Sequence, residues 1–324
     1  MKSSIILITG ASGEIGENLI DYFLNVDKRK IIAIDINEPK NQRNIFKFIK
    51  GSILNIEILN EINEEYVIEE IYHLAAVLST KAEQNKKLAQ NVNIDGTNNL
   101  FNLALSQNLK NNIITKFFFP SSIAVYNVKK NYTIPVSENK FCNPKTTYGQ
   151  HKLFCENLGI AFDKYGNNQN FKIDFRSIRF PGIISINSMP SGGTSDYAPE
   201  MIHSAIKNKN YSCFVSEKSR LPFIVMPDAI EAIVKIMTTP KKKLKNNIYN
   251  ITSFSPSVKD FLKTIQKKLP EFKINYVIDK MREDIVNQWP NFIDDKNAKN
   301  DWKWNPKYDL ESAFNNYIFK NLEN

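Results

Sequence analysis

Residues 9–16 read TGASGEIG and directly follow the apolar run at residues 5–8. Their glycines are spaced G-x-x-G-x-x-G. A tight turn from a strand into a helix needs a residue without a Cβ atom, and a pyrophosphate must approach the backbone amides and the positive helix end. Gly10 and Gly13 suit these roles, and Gly16 lets the helix pack on the strand. Glycine-rich turns also occur without ligands, but this position favours a dinucleotide site.

A carboxylate further along the chain indicates which dinucleotide binds. Asp35 ends the predicted second strand, 19 residues after Gly16. There it can accept both ribose hydroxyls of adenosine, and it would repel a 2′-phosphate. No arginine follows it directly, so NAD is favoured over NADP as the cofactor. The alternative is a surface aspartate that merely follows a strand.

Short apolar runs alternate with helical patterns through the first half of the chain. Strands are predicted at residues 4–9, 30–36, 45–50, 70–76, 116–121 and 172–180, and helices at residues 16–24, 93–107 and 144–164. This alternation predicts an α/β fold, a Rossmann-type doubly wound parallel sheet covered on both faces. The regular alternation stops after Pro181. We therefore expect an NAD-binding domain at residues 1–180 and a smaller, partly discontinuous domain at residues 181–324 that is mainly substrate-binding, with some segments returning to the first.

The charge and hydropathy of the chain indicate which classes of partner it is expected to bind. The formal charge is +9, but the basic residues form no stripe with interleaved aromatics, and their densest run, at residues 241–245, looks like a solvated loop. A lysine- and asparagine-rich bias explains the charge, and a nucleic-acid partner is the weaker alternative. No apolar run is long enough to span a bilayer, so no membrane partner is expected.

The three cysteines are scattered in sequence, which favours reduced thiols. We expect a cytoplasmic protein, with the mitochondrial matrix as the alternative for a processed eukaryotic chain. No cysteine–histidine cluster has metal-ligand spacing, and no metal is expected.

A pair of residues at the start of the long predicted helix indicates proton chemistry. Tyr148 and Lys152 are four residues apart, so their side chains lie on one face. Free tyrosine has a pKa of about 10, which a nearby ammonium and a cationic nicotinamide ring would lower. Ser122, or its neighbour Ser121, follows the fifth strand, where a hydroxyl can hold the reacting oxygen. Two serines at a strand end are also common turn residues.

Together these motifs resemble the extended short-chain dehydrogenases, which include UDP-galactose 4-epimerase and related dehydratases. Further stretches are similar to the short-chain L-threonine 3-dehydrogenases within that class. They are residues 73–79 (HLAAVLS), 143–149 (NPKTTYG), 175–185 (FRSIRFPGIIS), 191–198 (SGGTSDYA), 220–222 (RLP), 249–252 (YNIT), 289–290 (WP) and 301–304 (DWKW). The resemblance covers nearly the whole chain.

The resemblance implies a set of NAD-contacting residues around the glycine turn and at the later strand ends. They are Gly10, Ser12, Gly13, Glu14, Ile15, Gly16, Asp35, Ser52, Ile53, Leu74, Ala75, Ala76, Asn93, Tyr148, Lys152, Pro181 and Ile183. Two positions depart from the family pattern. Ser52 stands where an aspartate is usual, which puts its adenine contact in doubt, and Asn127 replaces a glycine.

The resemblance also implies a reaction, the NAD-dependent oxidation of L-threonine at C3 to 2-amino-3-oxobutyrate. Ser122, Tyr148 and Lys152 would be catalytic. The amino acid would contact Ser79, Ser122, Tyr148, Gly193, Thr194, Asp196 and Trp289. In this interpretation the amides of Gly192 and Gly193 and the hydroxyl of Thr194 bind the carboxylate. Asp196 faces the ammonium, although it suits a helix N-cap equally. Trp289 judged alone suits the core.

Other functions and arrangements remain open at this point. Arg220 is compatible with a nucleotide-sugar epimerase or dehydratase, and a non-catalytic NAD-sensing protein is a further alternative. The helix with Tyr148 carries more apolar residues than one stripe requires, which predicts a homodimer or a higher homo-oligomer. These are Leu153, Phe154, Leu158, Ile160, Ala161 and Phe162. Residues 186–198 are expected to form a lid over threonine, or alternatively a static surface loop.

Overall fold

The computed structural model describes residues 2–26, 29–39, 44–164, 172–186, 190 and 192–320. Its strands are β1 Ser3–Thr9, β2 Lys30–Asp35, β3 Lys47–Lys50, β4 Tyr66–His73, β5 Lys116–Ser122, β6 Asp174–Phe180, β7 Gly182–Ile184, β8 Tyr211–Cys213, β9 Phe223–Val225, β10 Ile248–Asn250 and β11 Ile274–Tyr276. Its α-helices are α1 Glu14–Val26, α2 Ile56–Glu65, α3 Ser79–Gln84, α4 Lys86–Gln90, α5 Gly96–Asn111, α6 Thr147–Lys164, α7 Tyr197–Ile206, α8 Met226–Thr238, α9 Val258–Gln266, α10 Lys280–Val286, α11 Lys296–Trp302 and α12 Leu310–Ala313. Two π-helical turns, Asn91–Asp95 and Phe314–Ile318, and two 3-10 turns, Ile123–Val125 and Lys241–Lys243, complete these elements.

The central sheet has seven strands in the order β10-β6-β5-β4-β1-β2-β3, and all its pairings are parallel. The strand order reverses between β1 and β4. Ligands of such sheets bind outside the carboxyl ends of the strands at this reversal. The predicted Rossmann-type doubly wound fold is confirmed, and its topology fixes where a cofactor can lie.

Both faces of the sheet are buried, because successive side chains of a strand point to opposite faces. In β1, Ile6 and Ile8 pack in one apolar cluster with helices α1 and α8, while Ile5 and Leu7 pack in a second cluster with α2 and α5. Fully burying such a side chain contributes about 1.5–3 kcal/mol relative to exposure. This explains the nearly continuous apolar run of the first strand.

Segments beyond residue 181 join the first sheet. Strand β10 pairs with β6, and Arg176 of β6 donates to the carbonyl oxygens of Ile236, Met237 and Thr239 at 2.6, 3.0 and 2.7 Å. The arginine thereby satisfies the free carbonyls at the end of α8. Two small parallel sheets, β7-β9 and β8-β11, lie outside the main one. The division into two domains at residue 180 stays a prediction.

Several predicted boundaries were wrong by a few residues. Strand β4 ends at His73, so residues 74–76, which were predicted as strand, form a loop instead. The helix predicted from residue 93 begins with a π-helical turn at Asn91–Asp95. Ser122 is the last residue of β5 and not the first residue beyond it. In the part of the chain that is described, no helix combines the length and apolarity needed to cross a membrane.

Candidate active site

A cleft of about 750 Å³ lies at the carboxyl ends of the central strands. It brings together every residue predicted to contact the cofactor or the substrate except Asn93 and Gly192. Its lining includes Gly10, Ser12, Gly13, Glu14, Ile15, Gly16, Asp35, Ser52, Ile53, Leu74, Ala75, Ala76, Ser79, Ser122, Tyr148, Lys152, Pro181, Ile183, Gly193, Thr194, Asp196 and Trp289. Residues from almost the whole length of the chain therefore meet at one site.

The glycine turn has a geometry that only glycine satisfies. Gly10 has φ +68°, and a Cβ atom there would lie 2.5 Å from the backbone nitrogen of Ala75. At Gly16 a Cβ atom would overlap the carbonyl oxygen of Gly10. The amide of Gly13 donates to the same oxygen at 3.1 Å and closes the turn. This compact turn at the start of α1 leaves room for a pyrophosphate against the backbone, so it fits NAD.

The carboxylate of Asp35 is held at the end of β2 by two backbone amides. Ser12 donates to its Oδ2 atom at 3.0 Å and Asn37 donates to its Oδ1 atom at 2.9 Å. A carboxylate oxygen can accept more than one hydrogen bond, so both oxygens can still receive ribose hydroxyls. The arrangement fits the adenosine ribose of NAD.

Tyr148 and Lys152 lie one turn apart on α6, as predicted. The Lys152 Nζ atom donates to the carbonyl oxygen of Pro120 at 2.6 Å and lies 5.5 Å from the Tyr148 ring centroid. Burial lowers the pKa of Lys152 to about 8 and raises the pKa of Tyr148 above its usual range. Burial of the phenol is the cause of this rise, since the ammonium of Lys152 is bonded to Pro120. The expected lowering also depends on the cationic nicotinamide ring of bound NAD, and it stays a prediction.

Both candidate serines line the cleft, and the geometry does not choose between them. The Ser122 Oγ atom accepts a hydrogen bond from the Ala124 amide at 3.2 Å. The Ser121 Oγ atom is buried and has no hydrogen-bond partner among the described residues. A buried hydroxyl without a partner carries a desolvation cost, so a ligand oxygen bonded to Ser121 would recover it.

Sequence reasoning missed the residues that hold α6 in place. Arg179 donates to both carboxylate oxygens of Glu156, at 2.7 and 2.6 Å, one helical turn beyond Lys152. At the start of the same helix, Glu83 accepts from the amide of Thr147 at 2.5 Å and from its hydroxyl at 2.9 Å. A carboxylate on the buried face of α6, one turn after the lysine, was the available signal for the first pair.

Asn93 does not line the cleft, but it is bonded to a loop that does. Its Oδ1 atom accepts from the Val77 amide at 2.7 Å, and its Nδ2 atom donates to the Val77 carbonyl at 2.9 Å. It therefore fixes the loop that follows β4, whose Leu74 and Ala75 do line the cleft. Asn93 lies in a π-helical turn, a feature that is frequent at functional sites.

At the other end of the cleft, Thr194 lies against Ser79. The Thr194 amide and hydroxyl are both 3.4 Å from the Ser79 Oγ atom. The amides of Gly192 and Gly193 donate to Asp196 Oδ2 at 2.9 and 2.5 Å. In this structure Asp196 accepts from both amides, and their binding of a substrate carboxylate stays a prediction.

The remaining residues that were predicted to contact the substrate differ in where they lie. Asp196 is the N-cap residue of α7, but its side chain makes no hydrogen bond to that helix. Trp289 is only 6% exposed and yet lines the cleft, so it is both a core and a cleft residue. Residues 187–189 and 191 of the predicted lid lie outside the described residues, and the lid stays a prediction.

Arg220 is the residue that made a nucleotide-sugar enzyme an alternative in the sequence. It does not line the cleft. Its Nη2 atom donates to Asp260 at 2.8 Å, and its Nη1 atom donates to the carbonyl of Ser255. Its guanidinium also lies 5.6 Å from the ring centroid of Phe292. These contacts give Arg220 a structural role within the second half of the chain.

Comparison with known proteins identifies the family. The sequence profile of the NAD dependent epimerase/dehydratase family matches residues 6–252. The mitochondrial L-threonine 3-dehydrogenase of Bos taurus is 33% identical over 310 residues, which cover 94% of this chain and 79% of the bovine protein.

Two solved structures extend the comparison to three dimensions. A monomeric L-threonine 3-dehydrogenase from a metagenome, in its apo form, superposes with a TM-score of 0.87 at 39% identity and covers 98% of both chains. The holo form of a GalE-like L-threonine dehydrogenase from Cupriavidus necator gives a TM-score of 0.86 at 31% identity, covering 97% of this chain and 99% of that one. Glycine turn, cleft and relatives together show an NAD-dependent oxidoreductase of the extended short-chain dehydrogenase type, and the chain belongs to the NAD dependent epimerase/dehydratase family.

Proposed function

We propose that this enzyme oxidises L-threonine at C3 to 2-amino-3-oxobutyrate. The observation that carries the proposal is one cleft that is lined by the glycine turn, by Tyr148 and Lys152, and by Ser79 and Thr194, which contact each other. A small hydroxy amino acid needs a proton acceptor and hydroxyl or amide donors at such a place. The names of the bovine and the two structural relatives support the same substrate.

In the proposed reaction each residue has one task. Tyr148, as the phenolate, accepts the proton of the C3 hydroxyl. Lys152 stabilises that phenolate and contacts the nicotinamide ribose, while Ser122 or Ser121 donates to the reacting oxygen. Bound NAD⁺ supplies the hydride acceptor for C3 and a cationic ring that favours the phenolate. The C3–H and O–H bonds break, the C=O bond forms, and the products are the ketone, NADH and a proton.

Measurement of NADH absorbance tests the substrate directly. We expect NADH formation with L-threonine and NAD, and none with UDP-glucose or UDP-galactose. A nucleotide-sugar epimerase or dehydratase returns the hydride to its own product, so it predicts no net NADH but a conversion of the UDP-sugars that chromatography detects. An NAD-sensing protein predicts no turnover with either substrate. The position of Arg220 outside the cleft lining supports the amino-acid substrate over the sugar nucleotide.

We further propose a homodimer that forms through α6. Leu158, Ile160 and Phe162 pack partly against the chain's own core, whereas Phe154 is 49% exposed on this helix. One solved relative is described as monomeric, so the assembly needs its own test. Sedimentation should show a dimer, and Phe154→Glu should shift it to monomer. An active wild-type monomer at working concentration contradicts the dimer. The cytoplasmic location stays a prediction, since the bovine relative is named mitochondrial.

A further inference from the structure

One arginine outside the predicted site holds the loop that forms the substrate end of the cleft. Arg282 lies in the first turn of α10, and its Nη2 atom donates to the carbonyl oxygen of Gly193 at 2.6 Å. Its guanidinium carbon lies 3.2 Å from the ring centroid of Phe214. A guanidinium is planar and always charged, and it stacks on aromatic rings while it donates in its plane. Arg282 is therefore fixed by the ring and in turn fixes the loop.

This contact, the shorter of two on the Gly193 oxygen, which also accepts from the Asp196 amide at 3.2 Å, helps to set the direction of the next backbone amide. In a trans peptide the C=O and N–H groups point in opposite directions. Because the Gly193 oxygen faces Arg282, the Thr194 N–H faces the other way, where Ser79 Oγ lies at 3.4 Å. That distance is longer than a good N–H···O bond, so the amide can take a better acceptor.

The two preceding amides are already committed. Asp196 accepts from Gly192 and Gly193, and the hydroxyl of Thr80 donates to the Gly192 carbonyl. Among the amides of residues 192–194, that of Thr194 is therefore the donor with only a weak acceptor, and Thr194 lines the cleft. The charge-assisted bond from Arg282 to the Gly193 carbonyl polarises the Gly193–Thr194 peptide. This strengthens the Thr194 N–H group as a donor.

The charge of Arg282 also lies just behind the cleft wall. Ser79 and Thr194 line both the large cleft and a small cavity of about 10 Å³ that Arg282 lines on its far side. Lys152, the cation of the catalytic pair, is bonded to the carbonyl oxygen of Pro120 instead. An anion against Thr194 would therefore lie near a positive charge without contacting it.

We propose that Arg282 is a positioning residue that aims the Thr194 amide at the carboxylate of the amino-acid substrate. The proposal rests on the proposed function for the identity of the ligand, but the orientation of the amide does not depend on it. Arg282 is not a catalytic residue, because it acts through the Gly193–Thr194 peptide.

The test compares Arg282→Met with Arg220→Met. The control also removes an arginine that binds a backbone carbonyl and lies over a ring, but its carbonyl partner is Ser255 and not the loop at Gly193. For Arg282→Met we expect the KM for L-threonine to rise about 10- to 100-fold, because one hydrogen bond of a charged group is lost. The Kd for NAD should stay within about twofold. Arg220→Met should leave both values unchanged, and Arg282→Lys should recover part of the KM.

A second readout needs no activity. Selective ¹⁵N-threonine labelling follows the Thr194 amide, which Thr194→Ser assigns, and its hydrogen exchange should accelerate in Arg282→Met but not in Arg220→Met. An unchanged KM in Arg282→Met overturns the proposal, and so does an unchanged Thr194 exchange rate. A parallel rise in the Kd for NAD shows a merely structural role and overturns it too. If the wild type does not oxidise L-threonine but Thr194 exchange accelerates as expected, the positioning stands and the proposed function fails.

If Arg282→Met does not fold, Phe214→Leu removes the stacking partner and keeps the arginine. A several-fold rise in the KM for L-threonine with an unchanged Kd for NAD then supports the proposal. An unchanged KM overturns it.

Discussion

The two ends of the cleft are built in different ways. The cofactor end is expected to depend on residues 9–16 and on Asp35, which are close in sequence, with the backbone of the glycine turn facing the ligand. The substrate end depends on contacts between distant segments. Ser79 and Thr194 are 115 residues apart in sequence, and Gly193 and Arg282 are 89 apart.

This difference teaches what a mutation can damage at each end. At the cofactor end a single added methyl group meets backbone atoms that cannot move away. At the substrate end the loop is held by polar side chains, namely Thr80, Asp196 and Arg282, and each can be removed separately. We therefore expect abrupt losses at the first end and graded losses at the second.

The largest expected effect lies between the two ends, at Tyr148. Tyr148→Phe should lower kcat with L-threonine by about 10²–10⁴-fold, because the proton acceptor is lost while the ring still packs. The Kd for NAD, measured by fluorescence titration, should stay within about twofold. A loss of NAD affinity as large as the loss of turnover would show that the two ends are not separable at this residue.

The next effect tests the cofactor end by itself. Gly10→Ala places a methyl group 2.5 Å from the Ala75 nitrogen at φ +68°. Left-handed strain of about 1–2 kcal/mol and overpacking of about 1–3 kcal/mol should together weaken NAD binding on the order of 100-fold. Circular dichroism of the purified variant checks that it is folded. Normal NAD affinity in a folded Gly10→Ala protein would contradict the assigned turn.

The same contrast explains how far the sequence predicted the site. The glycine turn, Asp35 and the Tyr148–Lys152 pair were found because their spacing along the chain is fixed by one turn or one helix. Arg282 and the Glu156–Arg179 pair were missed because only the tertiary fold brings them to the site. Strand β10 joins the sheet after an excursion of about 70 residues from β6, which periodicity alone could not place.

Two predicted properties stay untested because each depends on competition between neighbouring groups. The pKa of Tyr148 depends on burial as well as on Lys152, and the Gly192 and Gly193 amides depend on where Asp196 points. Sequence spacing identifies which groups are near each other. It does not identify which acceptor a given donor takes.

A moderate effect is expected for cofactor choice. Asp35→Ser combined with Ile36→Arg removes the carboxylate and adds a cation at a position that lines the cleft and is 65% exposed. We expect the preference for NAD over NADP, measured as the ratio of kcat/KM values, to fall about tenfold or more. Ile36→Arg alone is the control and should change the ratio less. A parent enzyme that already uses both cofactors equally would show that Asp35 does not read the ribose.

The smallest effect is expected at the glycine that matches Gly10 in conformation but not in surroundings. Gly192 has φ +92°, yet an added Cβ atom would have no other atom within 4 Å. Gly192→Ala therefore costs only backbone strain of about 1–2 kcal/mol, and the reduced freedom of the unfolded chain offsets about 0.4–1 kcal/mol of it. The net loss of unfolding free energy should be within about 1.5 kcal/mol, and the KM for L-threonine should rise less than about fivefold. Urea denaturation measures the unfolding free energy and steady-state kinetics measure the KM, and we expect the NAD affinity to stay unchanged.

A loss of NAD affinity comparable with that of Gly10→Ala would mean that positive φ alone, and not the close approach to Ala75, makes the cofactor end intolerant of substitution. In that case the two ends would differ less than their contacts indicate.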